Sequence, residues 1–315
     1  MDSLIWTEKY RPRSFKEFVG QKEIVKKVKG MVEQKNLNHL LLAGPAGCGK
    51  TSLILIAAIE LYGPSWKDNI FETNASQDRG INVVREDIKN FAKTKSLGQV
   101  PFKLCILDEA DALTKEAQHA LRRTMEQYSQ SCRFILIVNY PSKIIEPIQS
   151  RCVIFKFKPI KKDESFEIIK NVEQKEGLKI DEKTKNILYE ISEGDARKIV
   201  NTLQSCSIIS KSITEDLIFD TIPSAKPKEI KEVLEIAVKG NFLEARNKML
   251  DVMLNHSLSG LDIIKQIQKE IWNLSISDDK KIKLIEKCGE MEFRMVEGAD
   301  EFIQLEALLV NFIGK

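Results

Sequence analysis

Gly44, Gly49, Lys50 and Thr51 stand at the spacing G-x-x-x-x-G-K-[ST] within LLLAGPAGCGKTS, residues 40–52. The apolar run 40–43 leads into this stretch as a buried parallel strand would, and 53–59 leads out with no Gly or Pro to break a helix. Glycines let a backbone curl until its N–H groups face inward, and the following helix adds the positive end of its dipole. Gly44, Pro45, Ala46, Gly47, Cys48, Gly49, Lys50, Thr51 and Ser52 are therefore the candidate phosphate loop of a nucleotide site. The Lys50 ammonium suits the β- and γ-phosphates and the Thr51 hydroxyl suits Mg²⁺. A chance glycine turn before Lys-Thr would lack the two apolar flanks.

A second candidate group ends the apolar run KLCIL at 103–107, where Asp108 and Glu109 follow. An acid at the C-terminal end of a buried parallel strand points into the crevice where such sheets bind ligands. Asp108 is the expected partner of Mg²⁺ through water, and Glu109 is placed to orient or deprotonate the water attacking the γ-phosphate. A strand-ending helix cap is the plain alternative. The string DEAD at 108–111 suggests a helicase, yet the helical remainder after 160 offers no second ATPase-like sheet.

Asn139 ends the run 132–139 and should sit beside the Asp108 strand, its amide near the attacking water, although such an Asn is often only a turn former. Arg151, between two strand-like segments and without a local acid in the sequence, could reach a neighbouring subunit's phosphate. Arg197, after Gly194-Asp195, could close over the phosphates from the same chain. Spacing alone separates neither arginine from a solvated one. Arg79, Arg85 and Lys89 are basic, and Arg85 and Lys89 share a face of a helix expected over 81–91. That face suits a nucleic-acid backbone, but Glu86 and Asp87 among them favour plain solvation.

These side chains need a frame. The chain has 315 residues, more than one core comfortably fills, with 43% hydrophobic and 30% charged residues. Lys and Arg number 49 against 46 Asp and Glu, so a basic surface must be local. Six scattered cysteines form no C-x-x-C pair and read as free thiols of a reducing, intracellular compartment. No run approaches the length of a membrane span, so no membrane partner is expected. Cys48 would make the loop open to oxidation if its thiolate were accessible.

Strand and helix patterns alternate through about 160, which gives an α/β fold with a parallel sheet covered on both faces. A helix is expected over 21–34 and another over 114–128, capped by Thr114. Aromatic residues in 4–20 are too many for a free tail and should pack across the base side of a nucleotide or against a lid. Helical patterns at 161–175, 181–192 and 196–209 form a small lid domain. Pro223 and Pro227 mark 222–228 as a linker, and the remaining helical spacings form a bundle without a polar cluster. The expected domains are a 1–160 P-loop ATPase domain, a 161–222 helical lid and a 223–315 all-helical collar.

Taken together, WTEKYRP at 6–12, GPAGCGKTS at 44–52, ETNASQDRGI at 72–81, ILDEADALTKEAQHALRRTMEQYS at 106–129, IIEPIQSRC at 144–152 and EGDARK at 193–198 resemble the replication factor C small subunits, AAA+ clamp-loader ATPases, most of all the archaeal form. The resemblance covers nearly the whole chain. It implies a heteropentamer with a large subunit and other small subunits, collar domains in a ring, and ATPase domains spiralling around primer–template DNA. ATP binding would open a ring-shaped sliding clamp, and hydrolysis would release it closed on duplex. Carried over residue by residue, Lys50 and Thr51 bind phosphate and Mg²⁺, and Asp108 and Glu109 serve metal and water. Asn139 is then the first sensor, Arg151 an arginine finger offered in trans, and Arg197 the second sensor. Tyr10, Arg11 and Val19 fall on the adenine side; Arg79, Ile81, Arg85 and Lys89 fall in the segment that tracks DNA.

The resemblance has departures at Ala46 and Cys48, where Pro and Thr are usual, and at Gln77-Asp78, where two acids are common; none removes a catalytic group. Two other classes compete. A different AAA+ DNA-remodelling motor, such as a branch-migration motor or an initiator, would share the loop, but an initiator would end in a basic DNA-reading domain rather than in EFIQLEALLVNFIGK. A non-hydrolysing scaffold subunit would have no need of intact Lys50, Asp108, Glu109 and Asn139.

Overall fold

The computed structural model describes residues 5–76, 84–96, 100–222 and 227–313. The chain divides into two compact units, Met1–Gln204 and Ser205–Lys315.

The first unit is built on a five-stranded parallel sheet: β1 (Leu40–Ala43), β2 (Ile70–Asn74), β3 (Lys103–Asp108), β4 (Cys132–Val138) and β5 (Val153–Lys156), in the order β2-β3-β4-β1-β5. The three inner strands β3, β4 and β1 are buried on both faces, which explains their near-continuous apolar runs. Side chains alternate between two cores. Leu40, Leu42, Leu104, Ile106, Ile135 and Ile137 face one side and pack with Leu53, Ile54, Ala57 and Ala58. Leu41, Ala43, Cys105, Leu107, Phe134 and Leu136 face the other and pack with Ala117, Leu121 and Met125. Each such Leu or Ile, fully buried, stabilises the unit by about 1.5–3 kcal/mol.

The helices of this unit are α1 (Trp6–Lys9), α2 (Lys22–Glu33), α3 (Lys50–Tyr62), α4 (Lys89–Lys93), α5 (Lys115–Gln127), α6 (Glu146–Gln149), α7 (Lys162–Glu176) and α8 (Glu182–Ser192), with α9 (Ala196–Ile209) opening after Asp195. α5 begins where Thr114 indicated, and Thr114 Oγ1 accepts from Ala117 N at 3.2 Å. The helix expected over 81–91 is different in form. Its described part is a π-helical turn, Val84–Ile88, followed by the short α4. A π turn closes i→i+5 hydrogen bonds rather than the i→i+4 bonds of the expected α-helix.

The second unit holds α10 (Glu215–Thr221), α11 (Pro227–Val238), α12 (Phe242–Asn255), α13 (Gly260–Ile271), α14 (Asp278–Val296) and α15 (Glu301–Phe312). Pro227 opens a helix, where its fixed φ is tolerated, so residues 227 and 228 of the expected linker 222–228 are helical. Asn241, Ser259, Ser277 and Asp300 cap the last four helices with side-chain acceptors. Ile230, Leu234, Met249, Ile263, Ile267, Leu305 and Leu309 form part of one shared core. Leu243, Leu254, Ile282, Phe293 and Ile303 stay exposed.

Candidate active site

Between β1 and α3 the loop 44–49 turns in left-handed conformations that only glycine takes easily. Gly47 has φ 64°, and a Cβ there would lie 1.7 Å from Asp195 Oδ1. Ala196 N donates to Gly47 O at 3.2 Å, so the start of α9 is seated on the loop. Gly49 has φ 92°, and its Cβ would fall 2.6 Å from Phe18 Cζ. Sequence reading marked the two glycines but not what presses on them, because Phe18 and Asp195 are distant in the chain.

Lys50 opens α3 and is 8% exposed. Its Nζ donates to Gly44 O at 2.6 Å, Pro45 O at 2.7 Å and Asn139 Oδ1 at 3.3 Å. Burial lowers its pKa, against the opposing pull of Cys48, Asp108 and Asp111. Thr51 Oγ1 donates to Asp108 Oδ2 at 3.0 Å, and Glu109 N donates to Asp108 Oδ1 at 2.9 Å. Both carboxylate oxygens of Asp108 are thus aimed. Glu109 adopts φ 52°, in the left-handed region, and its side chain is exposed. Because β4 lies between β3 and β1, Asn139 follows the strand end next to Asp108, as the sequence indicated.

A cavity of about 450 Å³ joins these groups, lined among others by Ala46–Ser52, Asp108, Glu109, Asn139, Arg197, Tyr10, Arg11 and Val19. Gly44 and Pro45 contribute through the carbonyls that hold Lys50. One wall was missed in the sequence: Ile168, Asn171, Val172 and Lys175, which recur on one face of α7. Their spacing was legible; that it faces a ligand cavity was not. The aromatic N-terminal segment packs against this helix. Tyr10 Oη donates to Glu176 Oε1 at 2.5 Å, Lys9 Nζ pairs with the same oxygen at 2.8 Å, and Trp6 is buried, its backbone N–H donating to Gln204 Oε1 at 2.9 Å. The expectation that these aromatics are not a free tail holds.

Arg151 pairs with Glu126, and its Nη1 donates to Pro147 O at 2.6 Å. Glu126 lies 25 positions upstream on α5, out of reach of local sequence reading. Cys48 is not accessible: it is 2% exposed, its thiol donates to Pro45 O at 2.9 Å, and burial pushes its pKa up. The loop is therefore not the oxidation-prone element that an exposed thiolate would make it. Arg79, Ile81 and the Arg85 side chain lie outside the described residues; Lys89 is half-buried at the start of α4. Among the described residues no helix is long and apolar enough to cross a membrane, and no cluster of three His, Cys, Asp or Glu could hold a metal by itself.

A glycine loop between a central parallel strand and a buried helix, whose first turn is hydrogen-bonded to an acid at the end of the next strand but one, defines a P-loop ATPase domain of the AAA class. Residues 40–160 match the family described as "ATPase family associated with various cellular activities (AAA)", and residues 225–311 match "Replication factor C C-terminal domain". The "Replication factor C small subunit" of Thermofilum pendens is 50% identical over 312 residues, covering 98% of this chain and 96% of its own. That of Archaeoglobus fulgidus is 50% identical over 305 residues, covering 97% and 96%, and that of Methanococcus vannielii is 49% identical over 306, covering 97% of each. The chain belongs to the replication factor C small-subunit family. Among solved structures, the "RuvB Holliday junction branch migration motor" of Thermotoga maritima is similar with a TM-score of 0.57 at 21% identity, covering 73% of this chain and 79% of that one. At that identity the likeness is one of fold.

Proposed function

We infer that this chain is an ATP-hydrolysing small subunit of a sliding-clamp loader, and that the cavity beside Lys50 is its ATP site. The observation that carries the reading is the Thr51–Asp108 hydrogen bond, which joins the loop hydroxyl to the strand-end carboxylate. Mg²⁺ takes hard oxygen ligands, keeps several waters and sits between one or two carboxylates and substrate phosphates, so this hydroxyl–carboxylate pair fits it. When bound, the ion neutralises charge developing on the β- and γ-phosphate oxygens.

The residues of the chain divide the remaining work. Backbone N–H groups of 46–51 and the Lys50 ammonium hold the phosphates, with Lys50 exchanging loop carbonyls for phosphate oxygens. Glu109 accepts the proton of the attacking water as its oxygen bonds to the γ-phosphorus and the bond to ADP breaks. Asn139 orients that water, and Arg197, on the helix seated against Gly47, approaches the phosphates from the same chain. Tyr10, Arg11 and Val19, with the aliphatic face of α7, take the base. Arg151 serves the nucleotide of the adjacent subunit. The Lys50–Asn139 contact and the shared cavity support these assignments.

On this reading the ATPase domain is 1–160, the lid 161–222 and the collar 223–315; the division into compact units at Gln204 falls within the lid and does not itself mark these limits. Exposed apolar residues on the C-terminal helices suit collar contacts with the large subunit and other small subunits. The assembly is intracellular; it binds primer–template DNA through the segment holding Arg79, Ile81, Arg85 and Lys89, and it opens the clamp on binding ATP. The reading is tested by purifying the chain with its cellular partners and measuring ATPase with sliding clamp, primed DNA, or both. Joint stimulation is expected. Stimulation by a four-way junction without any clamp effect would favour a branch-migration motor instead, and an absence of turnover would favour a scaffold.

A further inference from the structure

Arg151 is held at both terminal nitrogens. Nη1 donates to Pro147 O at 2.6 Å on its own α6 turn, and Nη2 pairs with Glu126 Oε1. The same carboxylate oxygen accepts from Arg122 Nε at 3.0 Å, one helical turn back on α5. Glu126 is thus fixed by one arginine while it fixes another. Its carboxyl is held below the usual carboxylate range, first by the Arg122 hydrogen bond and then by the charges of Arg122 and Arg151. Around it, His119, Arg122 and Arg123 line a small recess in which Glu126 is the acidic member.

An exposed ion pair of this kind contributes little to stability, so its consequence is orientation. A guanidinium has five N–H donors in a rigid fork, and the two contacts described leave others for a phosphate. A long arginine free to rotate would lose side-chain entropy each time it met a ligand; one already clamped does not.

We infer that Glu126 is a positioning residue for Arg151, clamping its guanidinium between α5 and α6 in the pose from which it meets the nucleotide of a neighbouring subunit. The inference rests on the reading of Arg151 as acting in trans. It is tested in the complex reconstituted with its partner subunits, using Glu126→Gln, Glu126→Ala, Arg151→Ala and the double variant Glu126→Ala/Arg151→Ala. Glu126→Ala is expected to lower kcat for ATP by about 10-fold or more with little change in KM. Glu126→Gln, which keeps an acceptor oxygen, should recover part of that loss and guards against a folding defect. The double variant should be no slower than Arg151→Ala alone. Parental kcat in Arg151→Ala would overturn the trans reading and this inference with it. A defective Arg151→Ala beside a parental or faster Glu126→Ala, or a double variant slower than Arg151→Ala, would overturn this inference alone.

Discussion

Thr51 Oγ1 lies 3.0 Å from Asp108 Oδ2, joining the first turn of α3 to the end of β3 across 57 residues of sequence. The second oxygen of Asp108 is occupied by the Glu109 N–H at 2.9 Å, so the carboxylate has one fixed orientation. Asp108→Asn keeps the shape and removes the charge. The Mg²⁺ concentration for half-maximal ATPase should rise by about 10–100-fold, as expected for a group that orients a metal's ligands. A Mg²⁺ titration of the variant reads this directly, and an unchanged midpoint would separate Asp108 from the metal.

At Gly47 two obstacles coincide: a φ of 64° and a Cβ position 1.7 Å from Asp195 Oδ1. Gly47→Ala should therefore abolish measurable ATP binding. Adding Asp195→Gly removes the collision but leaves the left-handed backbone, a residual cost of about 1–2 kcal/mol. Binding should return only partly in the double variant. Full return would mean that the backbone conformation is not what restricts position 47.

His39 supplies a pH effect remote from the cavity. Its Nδ1 accepts from Phe134 N at 3.0 Å, and burial, reinforced by the Arg133 guanidinium, lowers its pKa from 6.5 to about 4. Between those two values the unfolded chain binds a proton that the folded chain refuses. Stability should fall as pH drops from 6.5 towards 4 and gain nothing from this group above 6.5. Urea midpoints at pH 7.5, 5.5 and 4.5 should show the decline, and His39→Asn should flatten it.

Cys48 makes a negative prediction. Buried and hydrogen-bonded to Pro45 O, it should stay unmodified when the native protein meets hydrogen peroxide or iodoacetamide near neutral pH. Peptide mass spectrometry locates any modification. Labelling of Cys48 at the rate of a free thiol would contradict the buried geometry.

Much of the site was legible before the fold. The loop, Asp108-Glu109 and Asn139 announce themselves because each sits at the end of an apolar run, and a parallel sheet gathers the C-terminal ends of its strands along one edge. What escaped the sequence was contact across long separations. Phe18 against Gly49, Asp195 against Gly47 and Glu126 on Arg151 involve side chains whose local patterns are those of ordinary surface or turn residues. The wall from α7 was hidden for another reason: Ile168 and Val172 have the spacing of any apolar helix face, and nothing in helical spacing says whether such a face meets protein or ligand. The π form of the turn at Val84–Ile88 was not legible because a single turn is too short to carry a spacing pattern.

The central claim is that this cavity hydrolyses ATP with Glu109 as the group that takes the proton of the attacking water. Glu109 is exposed to the cavity, and it can be changed without disturbing the Lys50 contacts or the Thr51–Asp108 bond. The direct measurement is a paired one on Glu109→Gln in the assembled complex: ATP affinity at equilibrium and the steady-state hydrolysis rate. The account predicts affinity within about 2-fold of the parent and a rate reduced by at least the 10²–10⁴-fold typical of losing a general base. ATP turnover at the parental rate, with affinity unchanged, would contradict it.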